Sequence, residues 1–376
     1  MKLMHLSDLH IGKRLCEQSM LEDQAYIFNR IIEMIDAERP DAVIIAGDLY
    51  DKSAPPAEAV SLCDDFLCRI ASRGCALLII SGNHDSAERL AFGGRLMQGS
   101  GVHISPVYDG NIQPVTLRDS HGEVDFFLLP FVKPIHVRTV FPDAQIATYT
   151  DAVRTAVENM PVDPSRRSVL VTHQFVTGAE RSDSEEVSVG GSDNVDASVF
   201  DSFDYVALGH LHRAQSVGRA EVRYCGTLLK YSFAESRHEK TVTMVELGAK
   251  GEVFIREQPL SPMRELVELR GSFAELCSRG AGQPESDPFT RITLTDEDDI
   301  PDALSRLRMI YPNLLRLDYD NTRTRHSYAV GSAEQAEQKT PLELLGELFE
   351  RQCNQPMNDR QRQLATRLIS EIWEDE

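Results

Sequence analysis

Five short polar blocks in this chain each follow an apolar run of strand length, and that recurrence constrains the fold more than any other feature. The blocks are Asp8-Leu9-His10, Gly47-Asp48, Gly82-Asn83-His84-Asp85, Thr172-His173 and Gly209-His210-Leu211-His212. The runs include Leu3 to Leu6, Ala42 to Ala46, Leu77 to Ile80, Ser168 to Val171 and Tyr205 to Leu208. Runs this short and apolar suit strands buried on both faces. Between them lie helical patterns: Ile27, Ile31 and Ile35 with Phe28 and Ile32, then Val60, Phe66, Leu67 and Ile70, then a segment near Asp151 to Met160. Alternation of this kind predicts a layered α/β domain, a β-sandwich core flanked by helices. Ligands in open α/β sheets collect beyond the carboxyl ends of the strands, so blocks far apart in sequence can converge there.

Singly, each block is weak, because a lone Asp-x-His or Gly-His at a strand end is more often a turn. Together they supply Asp8, Asp48, Asn83, His10, His173, His210 and His212, an oxygen and nitrogen set without thiolate. Such a set suits manganese, iron or zinc in a catalytic centre rather than a structural zinc site. A pair of cations roughly 3.5 to 4 Å apart needs an anionic bridge and neutral imidazoles, with positions left open for water and phosphate oxygens.

The remainder of the chain divides by composition. Arg223 to Ile255 reads as β hairpins, with Gly248 and Gly251 at a turn between Thr241–Leu247 and Glu252–Glu257. After residues 1–260, a βαβ-like pattern over 261–320 predicts a smaller α+β capping domain. Residues 321–339 are polar enough for a linker. Residues 340–376 read as a helical tail: Thr340-Pro341-Leu342-Glu343 is a capping box, Leu344, Leu345, Leu348 and Phe349 share a face, and a last helix carries Leu364, Leu368 and Ile372. The tail either packs back on the body or docks a partner. Glu180 to Asp196 is either a lid near His173 or a long surface loop.

At 376 residues the chain exceeds the size at which single cores split, and its 41% hydrophobic content with no long apolar run excludes a membrane protein. The N-terminus lacks a signal peptide, so the expected compartment is the cytoplasm. Seven scattered cysteines without a C-x-x-C pair read as free thiols.

The fuller runs Leu6 to Gly12, Ala46 to Asp51, Ile80 to Ser86 and Ala207 to His212 resemble the calcineurin-like metallophosphoesterase superfamily. Within it they are similar to the bacterial double-strand-break repair nucleases. His173 to Gly178, Gly190 to Asp193 and Lys230 to Phe233 extend the likeness. The resemblance implies two divalent metal ions, most simply Mn2+. One sits on Asp8, His10, Asp48 and His212, the other on Asp48, Asn83, His173 and His210. It implies a catalytic His84 that helps protonate the leaving oxygen or stabilise the transition state, with Asp85 either orienting His84 or serving as a helix cap or turn residue. Some relatives carry a histidine where this chain has Asp51, and that histidine's role is not transferred.

The resemblance further implies DNA as substrate, cut exonucleolytically at duplex ends and endonucleolytically in single strands or hairpins. It implies an SMC-like ATPase partner that the tail contacts, and a homodimer within a heterotetramer. No G-x-x-x-x-G-K-[ST] loop occurs here, so ATP would act through the partner. A net charge of -20 fits poorly with DNA binding by this chain alone. Lys13, Arg14 and Arg89 are basic residues near the motifs. Alternatives are a small-molecule phosphatase of the same superfamily and a non-catalytic scaffold, against which the intact ligand set argues.

Overall fold

The computed structural model describes residues 1–180, 194–280, 287–327, 341–353 and 355–373. It divides into two compact units, Met1–Met263 and Arg264–Glu376.

The first unit contains two six-stranded sheets. One orders its strands Val253–Pro259, Thr241–Leu247, Lys2–Leu6, Ala42–Ala46, Ala76–Ile80 and Val102–Ile104, the last four parallel to one another. The other runs Gln215–Val217, Arg219–Tyr224, Tyr205–Gly209, Arg167–His173, Gly122–Leu129 and Val115–Asp119, parallel at its centre and antiparallel at both edges. The facing sides share one core: Leu3, Ile44, Leu78 and Ile80 from the first sheet meet Phe126, Leu128, Val169 and Val171 from the second. Alternate residues Phe127, Leu129, Leu170 and Val206 point the other way, into a core completed by the helix Tyr149–Glu158. This period of two on strands covered on both faces is why the runs are continuously apolar. Each fully buried Ile or Leu contributes on the order of 1.5 to 3 kcal/mol.

The helix Leu21–Glu38 buries Ile27, Phe28, Ile31, Ile32 and Ile35 as the periodicity predicts. The helix Ala57–Ala71 instead buries Ala59, Cys63, Phe66 and Ile70, leaving Val60 exposed. Its packing stripe passes through a small residue and a thiol that hydropathy alone undervalues. Phe28 and Phe66 stack with centroids 4.2 Å apart, tying the two helices together. The hairpin Thr241–Leu247 with Val253–Pro259 forms as expected, but Arg219–Tyr224 pairs in parallel with Tyr205–Gly209 rather than in a hairpin of its own with the later strands.

In the second unit, Leu266–Gly271, Phe289–Leu294 and Leu314–Tyr319 form a parallel sheet in that order, connected through the helices Phe273–Gly280 and Ala303–Arg308. Leu269, Phe273, Leu276, Ile292, Leu294 and Leu307 fill its core. The expected linker begins differently: Thr322–Ser327 is a helix. Buried Asn321 accepts from the Thr324 backbone N–H at 3.1 Å, so a polar run becomes a capped turn rather than a free strand of chain. Residues 328–340, with the expected cap Thr340, lie outside the described residues, as do 181–193 of the Glu180 to Asp196 loop. The tail forms the helices Pro341–Cys353 and Asp359–Trp373. Among the described residues no helix is long and apolar enough to cross a membrane.

Candidate metal centre

Register brings the motif strands out level. Ala46 pairs with Ile80, and Gly209 pairs with His173, so the segments that follow leave from one end of the sandwich. Residues 8–11 then run beside 47–50 through Asp8 N–H to Gly47 O, His10 N–H to Asp48 O and Ile11 N–H to Leu49 O, each 3.0 Å. All seven expected ligands belong to these loops and strand ends.

Glycine lets the loops close on one another. A Cβ on Gly82 would stand 2.1 Å from Asp48 Oδ1, and one on Gly209 would stand 1.9 Å from Ala46 O and 2.7 Å from His173 Nδ1. Neither contact is sterically possible, so the Gly-Asn-His-Asp and Gly-His-x-His patterns are conditions of assembly. Asp8, His10, Asp48 and His210 adopt positive φ values of 52°, 44°, 50° and 106°. For residues with a side chain this costs of order 1–3 kcal/mol each, the kind of strain that collects where geometry serves chemistry.

The acidic and imidazole groups are buried together. Asp48 Oδ2 lies 3.3 Å from His173 Nε2 and 3.8 Å from His10 Nε2. Burial works against the Asp48 anion, yet His173, His10 and His84 outweigh it and hold the carboxyl well below its ordinary range. Burial lifts Asp8 to about 6. His173 is opposed by burial but carried to about 9 by Asp48. Asn83 Oδ1 is 2.9 Å from His173 Nε2 and 3.0 Å from His210 Nδ1, and the His210 backbone N–H donates to Asp8 at 3.1 Å.

These residues fit divalent metal ions. His10 is buried, and neither of its ring nitrogens has a hydrogen-bond partner. A buried imidazole without partners is expensive in a finished protein and is explained by a ligand. Asp8, His10 and His212 offer donor atoms within 4.8 Å of one another, as do Asp8, Asp48 and His173, and His10, Asp48 and His84. His173 directs Nδ1 at the Ala46 carbonyl, 2.9 Å away, so Nε2, which faces Asn83 Oδ1 and Asp48 Oδ2, is the atom turned toward the other donors.

Comparison with known proteins agrees with this chemistry. Residues 1–214 match the calcineurin-like phosphoesterase family, and residues 262–352 match the type 5 capsule protein repressor C-terminal domain. The SbcD subunit of the nuclease SbcCD from Staphylococcus epidermidis is 33% identical over 84% of this chain and 85% of its own length. Its counterpart from Staphylococcus saprophyticus is 33% identical over 84% of each chain. The chain belongs to the SbcD nuclease family. A dimetal phosphatase from Danio rerio superposes at TM-score 0.40 with 10% identity over 69% of this chain and 96% of that one, too slight a likeness to add to the assignment.

Around this SbcD-family centre stand residues that sequence patterns did not reveal. His212 Nδ1 lies 2.9 Å from buried Glu235, whose other oxygen is 2.6 Å from Lys240 Nζ. Lys240 also donates to the His212 carbonyl at 2.9 Å, so one lysine fixes the ligand's backbone and its carboxylate brace together. Burial opposes the Glu235 anion, but His212 and Lys240 hold it well below the usual carboxylate range. Gln24 donates to the carbonyls of Leu9, at 3.2 Å, and His10, at 2.8 Å, while the Tyr231 hydroxyl donates to Leu9 O at 2.6 Å. Ser7 bonds Asp8 and is itself 3.1 Å from the Cys225 thiol. No spacing rule connects Gln24, Glu235 or Lys240 to the ligands, whereas Ser7 and Tyr231 stand inside motif runs.

The roles expected for His84 and Asp85 separate. Asp85 accepts from the backbone N–H groups of Gly82, Leu49 and Tyr50 at 2.9, 3.1 and 2.9 Å. It clips one motif loop to another, and burial lifts its carboxyl to about 6. The His84 ring is oriented by the Asp51 carbonyl instead, 3.0 Å from Nδ1. The side chain of His84 is 21% exposed, with Nε2 4.0 Å from Asp48 Oδ2, at the rim of the cluster. The Asp51 carboxylate pairs with Lys13 at 2.7 Å, so Lys13 is not a free basic group.

Proposed function

We propose that the chain hydrolyses DNA phosphodiester bonds at a centre of two divalent metal ions, Mn2+ by preference. One ion is held by Asp8, His10, Asp48 and His212, the other by Asp48, Asn83, His173 and His210. The observation that carries this is buried His10, with both ring nitrogens unpartnered beside two carboxylates and His212. When bound, the ions supply an acidified water and charge stabilisation for a pentavalent phosphorus. The protein's part is positional. Glu235 and the Ala46 carbonyl fix imidazole orientation, and Asp85 holds the loops in register. His84, with Nδ1 on the Asp51 carbonyl, donates from Nε2 to the leaving oxygen when in its imidazolium form.

The relatives are named as subunits of an SbcCD nuclease. By that kinship this chain works with an SbcC-type SMC-like ATPase, as a duplex exonuclease and a single-strand and hairpin endonuclease, in the cytoplasm. Two surfaces suit the assembly, a homodimer within a heterotetramer. Phe92 and Leu96, four residues apart just after the His84 loop, are 85% and 88% exposed, as an apolar contact awaiting a second copy would be. Leu344, Leu345, Leu348, Leu364 and Leu368 of the tail helices are also exposed and suit the ATPase. Partners would also supply the positive charge that a chain of net charge -20 lacks.

The test is cleavage of a labelled hairpin and a single-stranded DNA in Mn2+, beside His84→Gln and a phosphomonoester. DNA cleavage lost in His84→Gln is expected. Hydrolysis of the monoester alone would replace this reading with a small-molecule phosphatase.

A further inference from the structure

A buried imidazole that ligates a metal through one nitrogen has to place the other on a hydrogen-bond partner. In His10 the two nitrogens face two different carboxylates. Nε2 is 3.8 Å from Asp48 Oδ2, on the side of the other donors. Nδ1 is 3.9 Å from Asp51 Oδ1. Both Nδ1 and Asp51 Oδ1 are buried, and neither has a hydrogen-bond partner. Their separation is too long for a hydrogen bond, and neither atom has surface open to a bridging water. A ring nitrogen able to donate and a carboxylate oxygen able to accept thus stand opposed, about 1 Å short of bonding distance.

Asp51 is held in that place from three sides. Its backbone N–H donates to Ile11 O at 3.2 Å, its carbonyl lies 3.0 Å from His84 Nδ1, and its Oδ1 is 2.7 Å from Lys13 Nζ. Lys13 is fixed in turn, since its backbone N–H donates to His10 O at 2.9 Å and its carbonyl accepts from the Met20 N–H at 3.0 Å. Gly12, at φ 92°, makes the turn that returns Lys13 to the side of His10. The order histidine, carboxylate, lysine occurs once more in the same donor group. His212 Nδ1 is 2.9 Å from Glu235, and Glu235 is 2.6 Å from Lys240. His10 and His212 stand together with Asp8, so two neighbouring ligands are each backed by a carboxylate and a lysine. One of these arrangements is closed, and the other is open by the gap between His10 and Asp51.

We propose that Asp51, held by Lys13, is the positioning residue of His10: Nδ1–H donates to Asp51 Oδ1 when Nε2 ligates a divalent ion. That bond selects the tautomer whose Nε2 lone pair points at the other donors, and it fixes the plane of the ring. Asp51 serves two imidazoles through separate atoms, His10 by its carboxylate and His84 by its backbone carbonyl. A side-chain substitution at position 51 therefore removes the first contact and spares the second. The inference rests on His10 being a metal ligand and is independent of which phosphoester is cut.

Two experiments on the full chain test it. Nitrogen-15 NMR of the histidine rings is recorded with Zn2+ bound, the His10 signals being assigned by their loss in His10→Gln. A metal-shifted Nε2 and an Nδ1–H in slow exchange with water are expected. Metal on Nδ1, or an Nδ1–H that exchanges freely, overturns the role of Asp51 and leaves His10 a ligand. A His10 ring that Zn2+ leaves unchanged overturns the two-ion reading and this inference with it. Mn2+ titration then measures the contribution of the bond. Asp51→Ala should weaken one of the two ions by about 10- to 100-fold and leave the other in place, with Asp51→Asn, which keeps an acceptor oxygen, in between. Lys13→Met should weaken the same ion by a smaller factor, and should add nothing once residue 51 is alanine. Unchanged affinity in Asp51→Ala, equal weakening of both ions, or full additivity of the two substitutions overturns the proposal.

Discussion

The two flanks of the metal centre are built on different principles. On the flank of Asp8, His10 and His212, remote side chains do the holding: Gln24 and Tyr231 fix the backbone of the Asp8 loop, and Glu235 with Lys240 braces His212. On the flank of Asn83, His173 and His210, close backbone approach does most of it, with Asp85 clipping Gly82 to Leu49 and Tyr50. His173 leans on the Ala46 carbonyl, and Gly82 and Gly209 allow contacts that any side chain would block. A flank held by side chains can be adjusted one substitution at a time, whereas a flank held by main-chain packing either forms or fails.

The sharpest way to break this contrast is Gly209→Ala. With a methyl required 1.9 Å from Ala46 O, we expect loss of both ions by elemental analysis and at least about a 10³-fold fall in cleavage. Survival of one bound ion would show that the flanks assemble independently after all. Next in size, His10→Ala and Asn83→Ala should each reduce bound metal from two ions to one, read by Mn2+ titration, while Asp48→Ala removes both. An effect of Asp48→Ala no greater than that of Asn83→Ala would dismiss Asp48 as the bridge.

Glu235→Gln should weaken one ion by about 10- to 100-fold and leave the second affinity in place, because His212 is the one expected ligand braced by that carboxylate. Equal weakening of both would merge the two flanks into one.

A separate effect, on stability rather than on metal binding, concerns His5, in the strand that leads to Asp8. Burial, with Arg223 nearby, lowers it from 6.5 to about 3, so the folded chain keeps it neutral while the unfolded chain takes up a proton. Its contribution is therefore complete above pH 6.5 and is lost as pH falls from there toward 3. Urea unfolding of the metal-free chain should lose roughly 1.4 kcal/mol per pH unit from this group within that window. His5→Gln should flatten that slope, and an unchanged slope would assign the acid sensitivity elsewhere.

The parts legible in sequence are those where one residue type answers one local demand. Continuous apolar runs marked strands covered on both faces, and a polar block after each marked the carboxyl end where a site can form. Gly82 and Gly209 sat inside those blocks because the loops nearly touch. Glu235, Lys240 and Gln24 were not legible, since their demand comes from atoms brought near only by folding. Gln24 is one polar residue on an otherwise amphipathic helix, and its partners are carbonyls that leave no trace in composition. Asp85 was half legible: a turn role was one of two readings, and three backbone bonds place it there rather than on the His84 ring. The polar run after Asn321 misled because a single buried cap outweighs a stretch of hydrophilic composition.

The left-handed backbone at Asp8, His10, Asp48 and His210 bears on durability as well as on shape. A chain relieved of that conformation at all four places would gain thermal endurance and lose the cage. Bonds within the protein fix that conformation, Gln24 and Tyr231 on the Asp8 loop and Asp85 on the Asp48 loop, so the strain is carried by the fold around the donors. The molecule has exchanged some resistance to heat for the shape of its donor set.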